Sequence, residues 1–165
     1  MRVLGIDPGT LNLGYGVVVE EDGRITMIDC GTISVSSKVA VEQRLCTLYD
    51  KLHEIIVHLR PAEVAIEEPF VARNARSALA IGRAQAIAIL AAASQKLPVF
   101  RYMPSQVKQQ VTNSGASSKE QVQEMVRMQL GLSQVPGTDD ATDALAVAIC
   151  HLYQRPMSHL LADIR

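Results

Sequence analysis

The spacing of apolar residues changes period at Val41, and that switch limits the architectures open to this chain. Before it, Val3-Leu4-Gly5-Ile6, Gly14 to Glu20 and Arg24 to Ile33 read as short β segments. Asp7-Pro8-Gly9 closes the first of them, and Glu21-Asp22-Gly23 is a turn between the second and third. The three strands predict an antiparallel meander. From Val41 onward, Leu45, Leu48, Leu52, Ile55, Ile56 and Leu59 recur at helical spacing, which predicts one amphipathic helix ending before Pro61.

The remaining segments alternate. Glu63 to Glu67 reads as a buried strand, and Ser77 to Gln95 is Ala-rich and helical. Leu97 to Tyr102 forms a fifth strand, and Pro104 opens a short helix. Either Ser117 with Glu120 or Ser118 with Gln121 makes a capping box for the next helix. A last helix follows the Pro136-Gly137 break. The order βββαβαβααα implies a mixed sheet, three antiparallel strands and then parallel ones, flanked by helices. With no Trp and only two Phe, the core is filled by aliphatic residues and Met, which suits layered α/β packing. At 165 residues the chain fits one domain, expected over 1–155, with 156–165 as a frayed tail.

Acids stand at strand ends and in a helix first turn: Asp7, Glu67, Asp140 and Asp143. If strands one and four are neighbours, Asp7 and Glu67 meet at the carboxyl edge of the sheet, where open α/β folds bind ligands. Asp140 and Asp143 are three apart and share a helix face. Four hard oxygen donors from three elements suit Mg²⁺ or Mn²⁺, and without a cation the charges should raise one another's pKa. Each acid also has a plainer reading, as a turn cap, a surface strand end or a favourable first-turn charge, so the joint pattern carries the inference.

Net charge is only −1, yet the cations are segregated. From Pro69 to Lys119 there is no Asp or Glu, while Arg73, Arg76, Arg83, Lys96, Arg101, Lys108 and Lys119 are basic. A positive surface beside an acidic pocket is what an enzyme acting on a polyanion needs. Cys30, Cys46 and Cys150 suggest neither a disulfide framework nor a zinc knuckle, and the four His lack metal-ligand spacing. His151, two turns past Asp143, reads as structural. No uninterrupted apolar stretch approaches the roughly 20 residues of a membrane span, so the cytoplasm is the expected compartment.

Gly5-Ile-Asp-Pro-Gly-Thr, Ala65-Ile-Glu, Asn74-Ala-Arg-Ser-Ala-Leu, Gln106-Val-Lys-Gln, Lys119-Glu-Gln-Val-Gln and Asp140-Ala-Thr-Asp-Ala-Leu-Ala together resemble the RuvC family of Holliday-junction resolvases, over nearly the whole chain. The resemblance implies a ribonuclease H-like fold, a homodimer, a RuvA–RuvB type branch-migration partner and symmetric, metal-dependent nicking of four-way DNA junctions. By motif the catalytic and metal-binding acids are Asp7, Glu67, Asp140 and Asp143. Lys108 and Lys119 match basic residues used against the backbone near the cut, and Phe70 matches an aromatic that meets the opened junction. Arg73, Arg76 and Arg83 are candidates for a phosphate-tracking stripe, the last two being on one helical face.

Two ions about 3.5–4 Å apart would then clamp the scissile phosphate, with Asp7 bridging them and water attacking in line. Hydrolysis would leave a 5′-phosphate and a 3′-hydroxyl. Two departures from the family pattern, Glu68 and Asp139, leave open which neighbouring carboxylates face metal. The first motif also resembles the phosphate loop of actin-like ATPases, although those close two such domains around a nucleotide. A YqgF-like RNA-processing nuclease, or a junction-binding module without catalysis, would carry much of the same pattern.

Overall fold

The computed structural model describes residues 1–68 and 74–162, with side chains described to 155. The elements in chain order are β1 (Arg2–Asp7), β2 (Asn12–Glu21), β3 (Arg24–Ser34), α1 (Val41–Leu59), β4 (Glu63–Glu67), α2 (Ala75–Ser94), β5 (Val99–Tyr102), α3 (Pro104–Thr112), α4 (Lys119–Gln129) and α5 (Asp139–Ala162). The sheet order is β3-β2-β1-β4-β5. Strands β1–β3 pair antiparallel, while β4 joins β1 and β5 in parallel. The β2–β3 turn puts Asp22 and Gly23 at positive φ, 52° and 76°, the backbone of a tight hairpin whose twist matches its strands. Helix α5 carries helical backbone through residue 156, where the sequence sets the tail apart.

Strand alternation sorts the core into two layers. Leu4, Ile6, Val17, Val64 and Ile66 face α1 and α2, where Leu48, Leu52, Ile56, Ala88 and Ala91 cover them. Val3, Val18 and Ala65 face α3, α4 and α5. Asp7 and Glu67 have the parity of Val3 and Ala65, so the pleat aims both carboxylates toward α5.

On that face, β1 and β2 carry glycine where the first turns of α5 cross them. A Cβ on Gly5 would lie 2.0 Å from the Ala144 carbonyl oxygen, and one on Gly14 would lie 2.0 Å from that of Asp140. A Cβ on Gly16 would lie 2.6 Å from Leu145 Cγ. Gly5 pairs with Gly16, and Gly14 pairs with Asp7. The missing side chains let the α5 backbone settle directly on the sheet, as close approach of two backbones requires.

Among the described residues, α2 is long and apolar enough, by length and composition, to cross a membrane. This differs from the reading of uninterrupted apolar runs, because Arg76, Arg83 and Gln85 interrupt the run without making the helix polar as a whole. Its Ala84, Ala88, Ala91 and Ala92 are buried, while Leu79 and Leu90 are 56% and 54% exposed.

Candidate active site

The parallel register of β1 and β4 ends at the pair Ile6–Ile66, so Asp7 and Glu67 are the next residues along adjacent strands. Helix α5 begins at Asp139, and its first turns lie over Gly14 and Gly5, which sets Asp140 and Asp143 beside Asp7. Glu67 and Asp143 line a cleft of about 190 Å³ together with Lys108, Lys119, Pro104, Val107, Val122 and Ala146. Three strand or helix ends and the N-terminus of α4 therefore meet at one place.

The charges there are uncomfortable. Burial pushes Asp7 up to about 7, and the charges of Asp143 and Asp140 add to the effect. Glu67 is likewise raised to about 7 by burial first, then by Asp7 and Asp143, with Lys108 and Lys119 opposing. Asp143 is also raised, because burial outweighs the nearby ammonium. Mutual repulsion is the cause expected from sequence; removal from water is the larger one.

Lys119 opens α4, where the pairing of Ser118 with Gln121 forms the capping box: Gln121 N donates to Ser118 Oγ at 3.3 Å and Ser118 N to Gln121 Oε1 at 2.8 Å. Its Nζ stands 3.0 Å from Asp143 Oδ2 and 3.4 Å from Asp139 Oδ2. Burial works against the ammonium, but Asp143 and Asp139 outweigh it and hold its pKa above the usual lysine value. Asp139 also accepts from Gln123 Nε2 at 2.8 Å and is 69% exposed, so its carboxylate serves Lys119 at the rim. Glu68 is turned to the surface, 3.8 Å from Arg101. Both departures from the family pattern thus lie outside the buried acid group.

With Lys119 on Asp143, no three His, Cys, Asp or Glu side chains among the described residues close on a single point as a finished cation cage. The donor set still fits a divalent metal. Asp7, Glu67 and Asp143 are hard oxygen donors in electrostatic contact, all held above their usual pKa by burial first and by neighbouring carboxylates second, a cost that a bound cation would offset.

Arg76 and Arg83 are exposed on α2. Phe70 and Arg73 lie outside the described residues. His151 is buried and bonded to Tyr102 and Glu63, away from the carboxylates. Sequence reasoning misses the glycine seam, whose signal is three glycines in strands that otherwise favour β-branched residues.

A five-stranded mixed sheet with acids at the ends of its two central parallel strands, completed by acids on the helix across it, defines a ribonuclease H-like nuclease. The sequence profile of the family described as Crossover junction endodeoxyribonuclease RuvC matches residues 3–151. A Crossover junction endodeoxyribonuclease RuvC from Dehalococcoides mccartyi is 48% identical over 163 residues, covering 99% of this chain and 98% of its own. One from a Roseiflexus species is 46% identical over 164 residues, covering 99% and 98%. T. thermophilus RuvC, solved in complex with a Holliday junction substrate, superposes with a TM-score of 0.91 at 34% identity and 96% coverage of both chains. The chain belongs to the RuvC family of crossover junction endodeoxyribonucleases.

Proposed function

We propose that this protein resolves four-way DNA junctions by hydrolysing phosphodiesters symmetrically in two strands, using two Mg²⁺ per active site, with Mn²⁺ able to substitute. The observation that carries the reading is the cleft itself: buried carboxylates raised toward neutrality, walled by Lys108 and Lys119. When bound, the ions supply activation of the attacking water and stabilisation of the leaving oxygen.

The chain's own groups do the rest. Asp7 and Glu67 hold protons near neutrality and release them as cations arrive, so metal affinity rises with pH. Asp140 and Asp143 complete the ligand set from α5. Pro104, Val107 and Val122 close one side of the cleft to water, which strengthens every charge inside. Lys119 sits where the α4 dipole already favours phosphate. Lys108, and Arg76 and Arg83 on α2, contact DNA backbone, as does Arg73 from the segment after β4, while Phe70 from that segment meets the opened junction by stacking. The working compartment is the cytoplasm, and a RuvA–RuvB type branch-migration complex is the partner that family membership suggests.

Cleavage of a synthetic four-way DNA junction, a linear duplex and a structured RNA, compared in Mg²⁺, Mn²⁺ and chelator, tests the reading. The junction alone should be cut, and only with metal. Preferential cutting of RNA would favour a YqgF-like nuclease, and tight junction binding without cutting would favour a non-catalytic binder.

Lys119→Ala should weaken junction binding at low salt and reduce the slope of log affinity against log salt by about 1, because one phosphate contact is lost. An unchanged slope, measured by fluorescence anisotropy between low and moderate salt, would remove Lys119 from the DNA contact.

Two cuts related by symmetry require two active sites, and the reading makes the protein a two-fold dimer. The exposed Leu79 and Leu90 on the apolar α2 support that helix as the interface; they share its face with Arg76 and Arg83, so the dimer seam would border the DNA-contacting stripe. The double substitution Leu79→Glu, Leu90→Glu should halve the mass seen by light scattering. An unchanged mass would move the interface elsewhere.

A further inference from the structure

The middle of α5 carries a buried polar cluster that the cleavage chemistry does not use. His151, 1% exposed, has its Nδ1 2.6 Å from the Tyr102 hydroxyl and its Nε2 2.6 Å from Glu63 Oε2. Arg155 Nε donates to the same carboxylate at 3.2 Å, and the Phe100 ring lies 4.6 Å from the imidazole, centroid to centroid. A neutral imidazole has one N–H, so this pairing fixes the tautomer: Nε2–H donates to Glu63, and Nδ1 accepts from the Tyr102 hydroxyl. Burial lowers the His151 pKa, against the pull of Glu63, which favours the neutral ring.

The cluster joins α5 to β4 and β5. Glu63 and Glu67 stand four residues apart on one face of β4, about 13 Å at strand rise. Asp143 and His151 stand eight apart on α5, about 12 Å at helical rise. The two spans match, so α5 meets β4 twice: Asp143 beside Glu67 and His151 on Glu63.

Between these points the seam is smooth. Gly5 faces Ala144 and Ala148, small residues that interlock weakly along a helix axis, while Leu145 lies over Gly16. At the other end, the side-chain tie from the α5 approach to the sheet is an exposed hydroxyl pair, Thr32 with Thr138. Directional hydrogen bonds between buried groups supply what the smooth seam lacks.

We infer that His151 is a positioning residue: its bonds to Tyr102 and Glu63 fix the axial height of α5, and with it the height at which Asp140 and Asp143 meet Asp7 and Glu67. The inference rests on the metal-site reading above. The binding of Mn²⁺, followed by the loss of the free-ion paramagnetic resonance signal in the full-length protein without DNA, separates the two.

His151→Phe keeps the ring shape and removes both bonds; it should raise the half-saturating Mn²⁺ concentration by up to about tenfold, the least that losing a group bonded directly to a ligand brings, because His151 acts through the placement of α5. His151→Gln, which can donate to Glu63 and accept from Tyr102, should recover most of that loss. Tyr102→Phe removes one bond and should shift the midpoint in the same direction by less; it also serves should His151→Phe fail to fold. Ile56→Ala is the stability control, because Ile56 belongs to α1 and is buried against the opposite face of the sheet. It should lower the melting temperature and leave the Mn²⁺ midpoint in place.

A wild-type midpoint in both His151→Phe and Tyr102→Phe overturns the inference, as does an equal shift in Ile56→Ala. If the wild type binds Mn²⁺ no better than Asp7→Asn does, the metal-site reading fails, and the inference fails with it.

Discussion

Replacing Asp7 by Asn will abolish junction cleavage and at the same time raise the melting temperature of the metal-free protein at pH 8. The two effects have one origin. Asp7 is held at about 7 against an ordinary value of 3.8, first by burial and then by Asp143 and Asp140. Between pH 4 and 7 the unfolded chain releases this proton and the folded chain keeps it. The native state therefore binds more protons there, and stability falls as pH rises. Above pH 7 the full cost is present.

The rise from 3.8 to about 7 corresponds to about 4 kcal/mol, and sharing of the strain with Glu67 brings the expected gain in Asp7→Asn nearer to about 2 kcal/mol. For a chain of this size that is about 4–8 °C. Below about pH 3, where wild-type Asp7 is neutral in both states, the two proteins should melt together.

In Mg²⁺ the order should close or reverse, because ligand binding stabilises only the protein that retains its carboxylate. Cleavage should fall by at least ~10²-fold, the loss that removing a single preorganised electrostatic group brings. Junction binding in chelator should persist. Calorimetry at about pH 3, 6 and 8, with and without metal, checks the stability terms, and junction cleavage and binding assays check the rest; a lower melting temperature for Asp7→Asn at pH 8 in chelator would refute the strain argument.

The second large effect is steric. In Gly5→Ala the added methyl would lie 2.0 Å from the Ala144 carbonyl oxygen and 2.8 Å from the Ala148 nitrogen. Both are backbone atoms of α5, which cannot step aside as a flexible side chain would. The helix must lift, taking Asp140 and Asp143 away from Asp7. Overpacking at a site held by backbone should cost about 3 kcal/mol or more, a fall of roughly 6–12 °C.

Gly82 supplies the contrast. It lies inside α2, and a Cβ there would meet nothing within 4 Å. Gly82→Ala should therefore gain about 0.5–1 kcal/mol from helix propensity alone. Thermal melts of both variants test the seam, and a Gly5→Ala protein melting within about 2 °C of wild type would count against it.

Much of the fold can be read from residue order because local chemistry and global packing agree. The helical spacing from Val41 to Leu59 and the stop at Arg60, in left-handed conformation before Pro61, follow directly from the sequence. So does the meander, down to the Asp22-Gly23 turn. The acids of the proposed metal site stand out because a carboxylate at the end of an apolar strand is costly unless something compensates it.

What stays hidden in the sequence depends on partners distant along the chain. The pleat puts Glu67 and Glu68 on opposite sides, but which side faces α5 is decided only when Ala65 and Val3 pack there. Asp139 and Asp140 are equivalent first-turn acids until Lys119 and Gln123 engage Asp139. Glycines at 5, 14 and 16 read as weak strand residues until α5 lies on them. The Glu63–His151 bond joins positions 88 residues apart and leaves no local pattern.

If Asp7, Glu67, Asp140 and Asp143, drawn from three separate elements, hold divalent metal over a DNA phosphate, the metal can be located. Anomalous scattering from a crystal of the protein soaked in Mn²⁺ with junction DNA would do so. A peak is expected within about 2.2 Å of an Asp7 carboxylate oxygen, with oxygens of Glu67, Asp140 or Asp143 in the same shell and Lys119 turned from Asp143 to the phosphate. Manganese peaks only at sites remote from Asp7, with Lys119 still on Asp143, would show that these acids serve some other purpose.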